Sequence, residues 1–306
     1  MTTSATTPSS PAETGPTEPT ASPVRRALRA ATDWLLAPVP LARVAAFRVL
    51  IYAFVVLDVL WIRTSVVPHG YVPDLYRPTW LARAVHLPAL TPLQGEILLA
   101  SLLAACVAGV AAVVTGRLQR TTGVLVALGF WVWMLNSQGY GYISHDHLAL
   151  MVAVTVLPTA GLTRLRDHTP SQAAGWALRA IQLAVVATYF GSAVLKWMRS
   201  GSPAGWANSA VFIWAIMRRG SPLIRWTLEY PWLLILGQWG LYMIELLSPV
   251  VLWLRGRWLY VAISTFLFFH LATFLSLGIH FLPTVVCWAA FLPLEKLPFL
   301  RARVTR

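Results

Sequence analysis

The chain has 306 residues, of which 57% are hydrophobic and only 11% charged, with a mean hydropathy of +0.64. Soluble domains carry about one quarter charged residues, so this balance excludes a cytosolic enzyme, a secreted disulfide scaffold and a nucleic-acid binder. It reads as an all-α polytopic membrane helix bundle. The net charge of +13 does not indicate nucleic acid, because Arg and Lys fall between apolar runs, as in membrane loops, rather than in one stripe.

Residues 1–24 form a Thr/Ser/Pro-rich tail; these three types supply 15 of the first 22 positions. With no apolar cluster to offset the entropy of ordering, the tail is expected to be disordered, and it lacks the apolar h-region of a signal peptide. A membrane domain is expected over 25–300. It opens on an amphipathic stretch with Arg25, Arg26 and Arg29. Apolar spans follow at roughly 41–62, 94–115, 121–136, 146–161, 177–198, 231–254 and 258–279, with a shorter one at 281–293. Some are near the twenty residues that cross a hydrocarbon core and others are shorter. About eight crossings is the expected count, with seven as the alternative. Cys106 and Cys287 lie inside apolar stretches and outside any CxxC, which excludes a zinc ribbon or a thiol relay.

Loop cations set the orientation. With eight crossings, fifteen Arg and Lys fall on one side and eight on the other, which favours both termini in the cytoplasm. The long loops 63–93 and 199–230 then face outward. The apolar stretch from Trp206 to Met217 is expected to lie on the surface as an interfacial helix. Trp61, Trp176, Trp197, Trp232, Trp253 and Trp258 near span ends fit an interfacial belt. Twenty-two Arg against two Lys hints at a GC-rich bacterial genome, so a bacterial plasma membrane is the expected location.

Ionisable groups within apolar spans need a partner, a wet cavity or a function. They are Arg48 and Asp58 in the first span, His145, Asp146 and His147 opening the fourth, Lys196 closing the fifth, Glu245 in the sixth, and His270 with His280 in the seventh. Arg48 and Asp58 are about 15 Å apart along a helix, so each must find a partner elsewhere, and for Arg48 a packing role is the better reading. His145, Lys196 and His280 reach the same outer face. A lysine there could equally snorkel to the interface, and His145 with His147 could cap a helix with Ser144. The i, i+2 spacing of those histidines disfavours a metal site, and no metal is expected. No HExxH, nucleophile elbow, P-loop or GxGxxG is present.

Five segments in order resemble the HTTM family, which includes vitamin K-dependent gamma-carboxylase. They are Ala45–Leu50 continuing to Asp58, Ile143–Leu148, Tyr189–Lys196 with Trp206, Trp239–Glu245, and Phe269–Pro283. Each alone is an apolar run with one polar landmark; together they cover roughly residues 42–293. The resemblance implies that Lys196 is the base that deprotonates a reduced quinone of the vitamin K type. By the same resemblance, the deprotonated quinol then reacts with oxygen to give the strong base that removes a glutamate γ-proton before carbon dioxide adds. It implies that His145 serves the carboxylation half. Glu245 and His270 match residues lining or bracing the same core, and Arg48, Asp58, His147, Tyr189 and His280 are cavity or supporting candidates. This sequence departs from the family pattern at Ala193, where Gly is usual, and at Ser144, where Asn is common. It also lacks the large extracytoplasmic region by which the carboxylase holds its protein substrate.

Two functions follow as expectations: a quinol-using epoxidase or carboxylase-like membrane enzyme, or a non-catalytic accessory protein for maturation or export of a secreted peptide, as in the sporulation-delaying toxin maturation relatives of the family. A small transporter is weaker, because the chain shows no internal repeat. The partners expected are the lipid bilayer and a secreted peptide or protein substrate, with no nucleic acid.

Overall fold

The computed structural model describes residues 22–62, 65–141 and 145–300, and for Phe299 only the backbone. The tail before Ser22, Arg63, Ser144 and the last six residues lie outside the described residues. Of the described residues, 79% are helical. Among the described residues, four helices are long and apolar enough to cross a membrane, and the chain is a membrane protein.

Helix α1 (Pro23–Leu35) starts where the Ser22 side chain accepts from Arg25 N–H, and it buries no residue. Val39–Pro40 (β1) then leads into α2 (Leu41–Leu57), which widens into a π-helical turn at Asp58–Ile62. Short helices α3 (Val66–His69) and α4 (Trp80–Ala84) fill the following loop. Helix α5 (Pro92–Thr115) has a complete set of boundary signals. Thr91 and Gln94 form a reciprocal capping box, Pro92 occupies the first turn, and Gly116 closes the helix at φ 72°. Its buried face is mostly small, with Gly95, Ala105, Cys106, Gly109 and Ala112. A Cβ at Gly109 would stand 2.7 Å from the Tyr52 ring. Close approach through small residues is how helices associate where lipid is as apolar as the core.

Helices α6 (Gln119–Gly139) and α7 (Leu148–Val156) return the chain, and α7 is extended by a 3₁₀ turn at Leu157–Ala160. Pro170–Ser171 (β2) pairs antiparallel with β1 and opens α8 (Gln172–Ser200), the longest helix described. Gly175 is needed there, since a Cβ would stand 2.0 Å from Ala37 O.

After α8 the apolar stretch expected as one interfacial helix is divided. Trp206 ends α9 (Pro203–Trp206), while α10 (Ala210–Arg219) turns Ile216 inward and packs on the helices that follow. These are α11 (Pro222–Arg225), α12 (Pro231–Leu246), α13 (Gly256–Leu277) and α14 (Leu282–Cys287). Helix α12 gives way to a 3₁₀ turn at Ser248–Leu252, where Pro249 has no N–H to continue the ladder. A second such turn, Trp288–Phe291, prolongs α14. All eight apolar spans read from the sequence overlie helices, and their ends sort into two sets. One end gathers β1, β2, Gly116, Gly161 and residues 294–300, tied by Arg43 to Glu295 and His168 to Leu300 O. The other end holds α3, α4 and α9–α11. There Arg77 N–H donates to Gly139 O at 2.7 Å and Ser221 N–H to Ser276 O at 2.8 Å.

Candidate functional site

Helix α8 carries Tyr189, Ser192 and Lys196 at spacings of three and four, so they share one face. Helix α12 does the same with Gln238, Tyr242 and Glu245, all buried. Where the two faces meet, the Lys196 ammonium pairs with Glu245 Oε2, and Ser192 Oγ donates to Glu245 Oε1 at 3.4 Å. Both charged side chains are largely enclosed, with 19% of the Lys196 side chain and 8% of that of Glu245 accessible. Trp206 covers the pair, its ring centroid 4.5 Å from Lys196 Nζ, and Gln238 Nε2 anchors it by donating to Trp206 O at 2.9 Å. The ammonium thus has a carboxylate on one side and an aromatic face on the other.

Two turns from Lys196 along α8, Tyr189 Oη accepts from Trp288 Nε1 at 3.0 Å and lies 2.5 Å from His270 Nε2 of α13. Phe266 stacks on Trp288, with ring centroids 4.6 Å apart. His270 is buried, and its Nδ1 has no hydrogen-bond partner among the described residues. Its ring borders an apolar cavity of about 620 Å³ whose walls include Leu57, Leu271, Phe274, His280 and Phe281. Lys196 does not line this cavity; it shares helix α8 with Tyr189, which meets His270.

A third cluster lies at the start of α7. His147 is fully buried, with Nε2 3.0 Å from Asp58 Oδ1 and Nδ1 3.1 Å from Asp146 Oδ1. Both ring nitrogens face carboxylates, and which of them donates follows the imidazole tautomer. Thr284 Oγ1 of α14 donates to Asp146 O at 2.6 Å and fixes the turn. Among the described residues no side chain caps α7; His147 sits at its N-cap position and turns its ring to the two carboxylates. His145 is exposed, its ring centroid 6.0 Å from that of Phe281.

Arg48 stands apart from all three clusters. Fully buried, it donates to Gln119 Oε1, Leu157 O, Gly161 O and Thr163 Oγ1, with no carboxylate partner among the described residues. Gln119 Nε2 in turn donates to Ala112 O and Thr163 O. The guanidinium therefore ties α2 to the ends of α5, α6 and α7.

The structure brings together Lys196 with Glu245, Tyr189 with His270, and Asp58 with His147. It places His145 and His280 at the rim and Arg48 at the opposite end. Sequence reasoning gave no site role to Ser192, Gln119 and Trp288, and named Trp206 only as part of the segment resembling the family. Ser192 had a signal in its spacing to Lys196; the others contribute through contacts distant in sequence. Among the described residues, no three His, Cys, Asp or Glu side chains gather as a metal site. Comparison with family models, curated proteins and solved structures gives no match to this chain.

Proposed function

We propose that the chain is an HTTM-like membrane protein with eight crossings and both termini in the cytoplasm, acting as a quinol-dependent epoxidase or carboxylase-like enzyme at its outer end. The orientation rests on the bundle end that collects Arg43, Arg120, Arg164, Arg179, Arg255 and Lys296, in keeping with the positive-inside bias. Reporters fused after Arg120 and after Arg306 should read cytoplasmic, and one in the 199–230 loop external. A C-terminal external signal would mean seven crossings.

The observation that carries the enzymatic reading is the Lys196–Glu245 pair, enclosed among apolar helices and set on the same helix as Tyr189, which meets a histidine at a cavity wall. The cavity suits a reduced quinone, with apolar walls for a prenyl-type tail and His270 Nδ1 as an unclaimed polar atom for a ring oxygen. Such a quinol would supply an ionisable hydroxyl and the electrons for reaction with dioxygen. Glu245 can take the ammonium proton of Lys196 within the pair, because apolar surroundings disfavour separated charges. The amine is then free to accept a proton at Nζ. Ser192 holds the carboxyl in register, and Trp206 shields the amine from water. The direct test is quinol-to-epoxide conversion by the purified protein in detergent, with and without Lys196. Native-like conversion by Lys196→Ala would end this reading.

A second reading has its own support. Lys196 already has two partners and is not in the cavity wall, as befits a pair that fixes packing. The protein would then be a non-catalytic accessory for maturation or export of a secreted peptide. Absence of quinol turnover together with capture of a secreted peptide precursor would favour it.

A further inference from the structure

At the bundle end opposite Lys196, a cleft of about 410 Å³ lies between α8, the turn after α12, the start of α13 and residues 291–296. Arg43, Arg179, Arg255 and Lys296 line it, and among the described residues no carboxylate does. The four cations are not equivalent. Arg43 is engaged by Glu295 in a two-pronged bond, at 2.7 Å from Nε and 2.6 Å from the outer nitrogen.

Arg179 donates to Gln182 Oε1 at 2.7 Å and lies over the Trp34 ring at 4.9 Å, while its buried Nε has no partner among the described residues. Among the described residues, Arg255 donates to the carbonyls of Leu252 and Leu254, at 3.3 and 3.0 Å. Neither Arg179 nor Arg255 forms an ion pair among the described residues.

Two guanidinium groups facing one cleft without a counter-charge repel each other unless an anion joins them. Their planar forks match phosphate oxygens in pairs, which a single ammonium cannot do. The rest of the wall decides what carries the phosphate. Leu252, Leu259, Tyr260 and Phe291 add apolar side chains to its wall. Farther along α13, Val261, Leu267 and Phe268 are exposed, a surface for acyl chains. A free phosphate ester would use the guanidiniums and leave this apolar wall without an occupant. We propose that the cleft binds an anionic phospholipid, its headgroup phosphate held by Arg179 and Arg255 and its tails lying along α13. Basic pockets between membrane helices on the cytoplasmic side are suited to such headgroups.

The test uses the full chain in nanodiscs of phosphatidylcholine, with and without phosphatidylglycerol, reading melting temperature and lipid retained in native mass spectrometry. Phosphatidylglycerol should raise the melting temperature and remain bound. Arg255→Gln, an exposed change that leaves the fold intact, should weaken retention roughly fivefold, the worth of about one cation at a headgroup. Arg179→Gln with Arg255→Gln should abolish it, and Arg218→Gln at the other end should leave it unchanged. Equal retention by native protein and the double variant would overturn the proposal. So would equal stabilisation by phosphatidylcholine alone. If inorganic phosphate added in detergent reproduces the whole rise in melting temperature, the ligand is a free phosphate and the lipid assignment falls.

Discussion

The Tyr189 hydroxyl joins three helical elements through one buried oxygen: it accepts from Trp288 Nε1 at 3.0 Å and faces His270 Nε2 at 2.5 Å. An indole nitrogen only donates, so the hydroxyl oxygen accepts there, while the direction of its contact with His270 Nε2 follows the imidazole tautomer. His270 Nδ1 is the ring atom without a partner among the described residues, beside the apolar cavity. Removing the oxygen should strand two buried groups at once. Tyr189→Phe is expected to cost about 1–3 kcal/mol, read as a lower melting temperature in detergent. An unchanged melting temperature would show that the contact is incidental.

How much of this was legible in the sequence depends on the range of the contact. Lys196, Glu245, His147 and His270 stand out because each breaks an apolar run, and membranes tolerate few such groups. The ends of α5 could be read from Thr91, Pro92 and Gly116, since capping is local. Which polar residue meets which could not. Arg48 finds Gln119, 71 positions away, and Tyr189 finds Trp288, 99 away; no local pattern encodes either pairing. The division of 203–219 into two helices also escaped the reading, although Asn208 and Ser209 interrupt its apolar run. Asn208 Oδ1 accepts from Ala210 N–H, and Ser209 takes a left-handed φ of 73°, a turn that short polar side chains support.

Arg48 offers a cleaner separation of scaffold from chemistry. Its guanidinium satisfies Gln119, Thr163 and two carbonyls at the far end of the bundle from Lys196. Arg48→Ala should sharply lower folded yield, because several buried acceptors lose their donor together. Arg48→Lys should recover only part of the yield, since one ammonium cannot span the same acceptors. Turnover per folded molecule should be unchanged in whatever survives; a selective loss of turnover at normal yield would move Arg48 into the site.

For Asp58 and His147 the expected signature is coupling. Both are fully buried, and their bond ties the π-helical turn after α2 to the start of α7. Single changes Asp58→Asn and His147→Gln should each destabilise. The double change should cost less than their sum, with a coupling energy of about 1–3 kcal/mol in a double-mutant cycle. Strict additivity would mean that the two residues act independently.

The Arg43–Glu295 bond has a pH signature. Burial pushes the Glu295 carboxyl up, but the Arg43 guanidinium and a backbone N–H outweigh burial and hold it below its ordinary value of 4.5. A carboxyl depressed in the folded state contributes stability that is fully present above its unfolded value and is lost as pH falls through the folded one. Melting temperature should therefore hold steady above about pH 5 and fall under more acid conditions. Arg43→Gln should lower the plateau and flatten that acid limb. A limb of unchanged steepness in Arg43→Gln would assign the acid sensitivity to other carboxylates.

Lys196 is where packing and catalysis make opposite predictions. Arginine at this position keeps a cation for Glu245 and a planar face for Trp206, so Lys196→Arg should fold with a near-native melting temperature. Guanidinium stays protonated near neutral pH and cannot act as a neutral base, so turnover should vanish while the fold persists. Lys196→Ala separates the readings further. It leaves Glu245 without its ammonium, and a small primary amine supplied in solution can occupy the vacated space beside it. Both readings expect the amine to restore some stability. Only the base reading expects turnover per folded molecule to return as well, and to return more fully at higher pH, where more of the added amine is neutral. If the lysine only fixes packing, quinol conversion should be insensitive to Lys196→Arg and to added amine once folded protein is equalised. Conversion by Lys196→Arg at the native rate would remove Lys196 from the chemistry and leave the pair as a strut between α8 and α12.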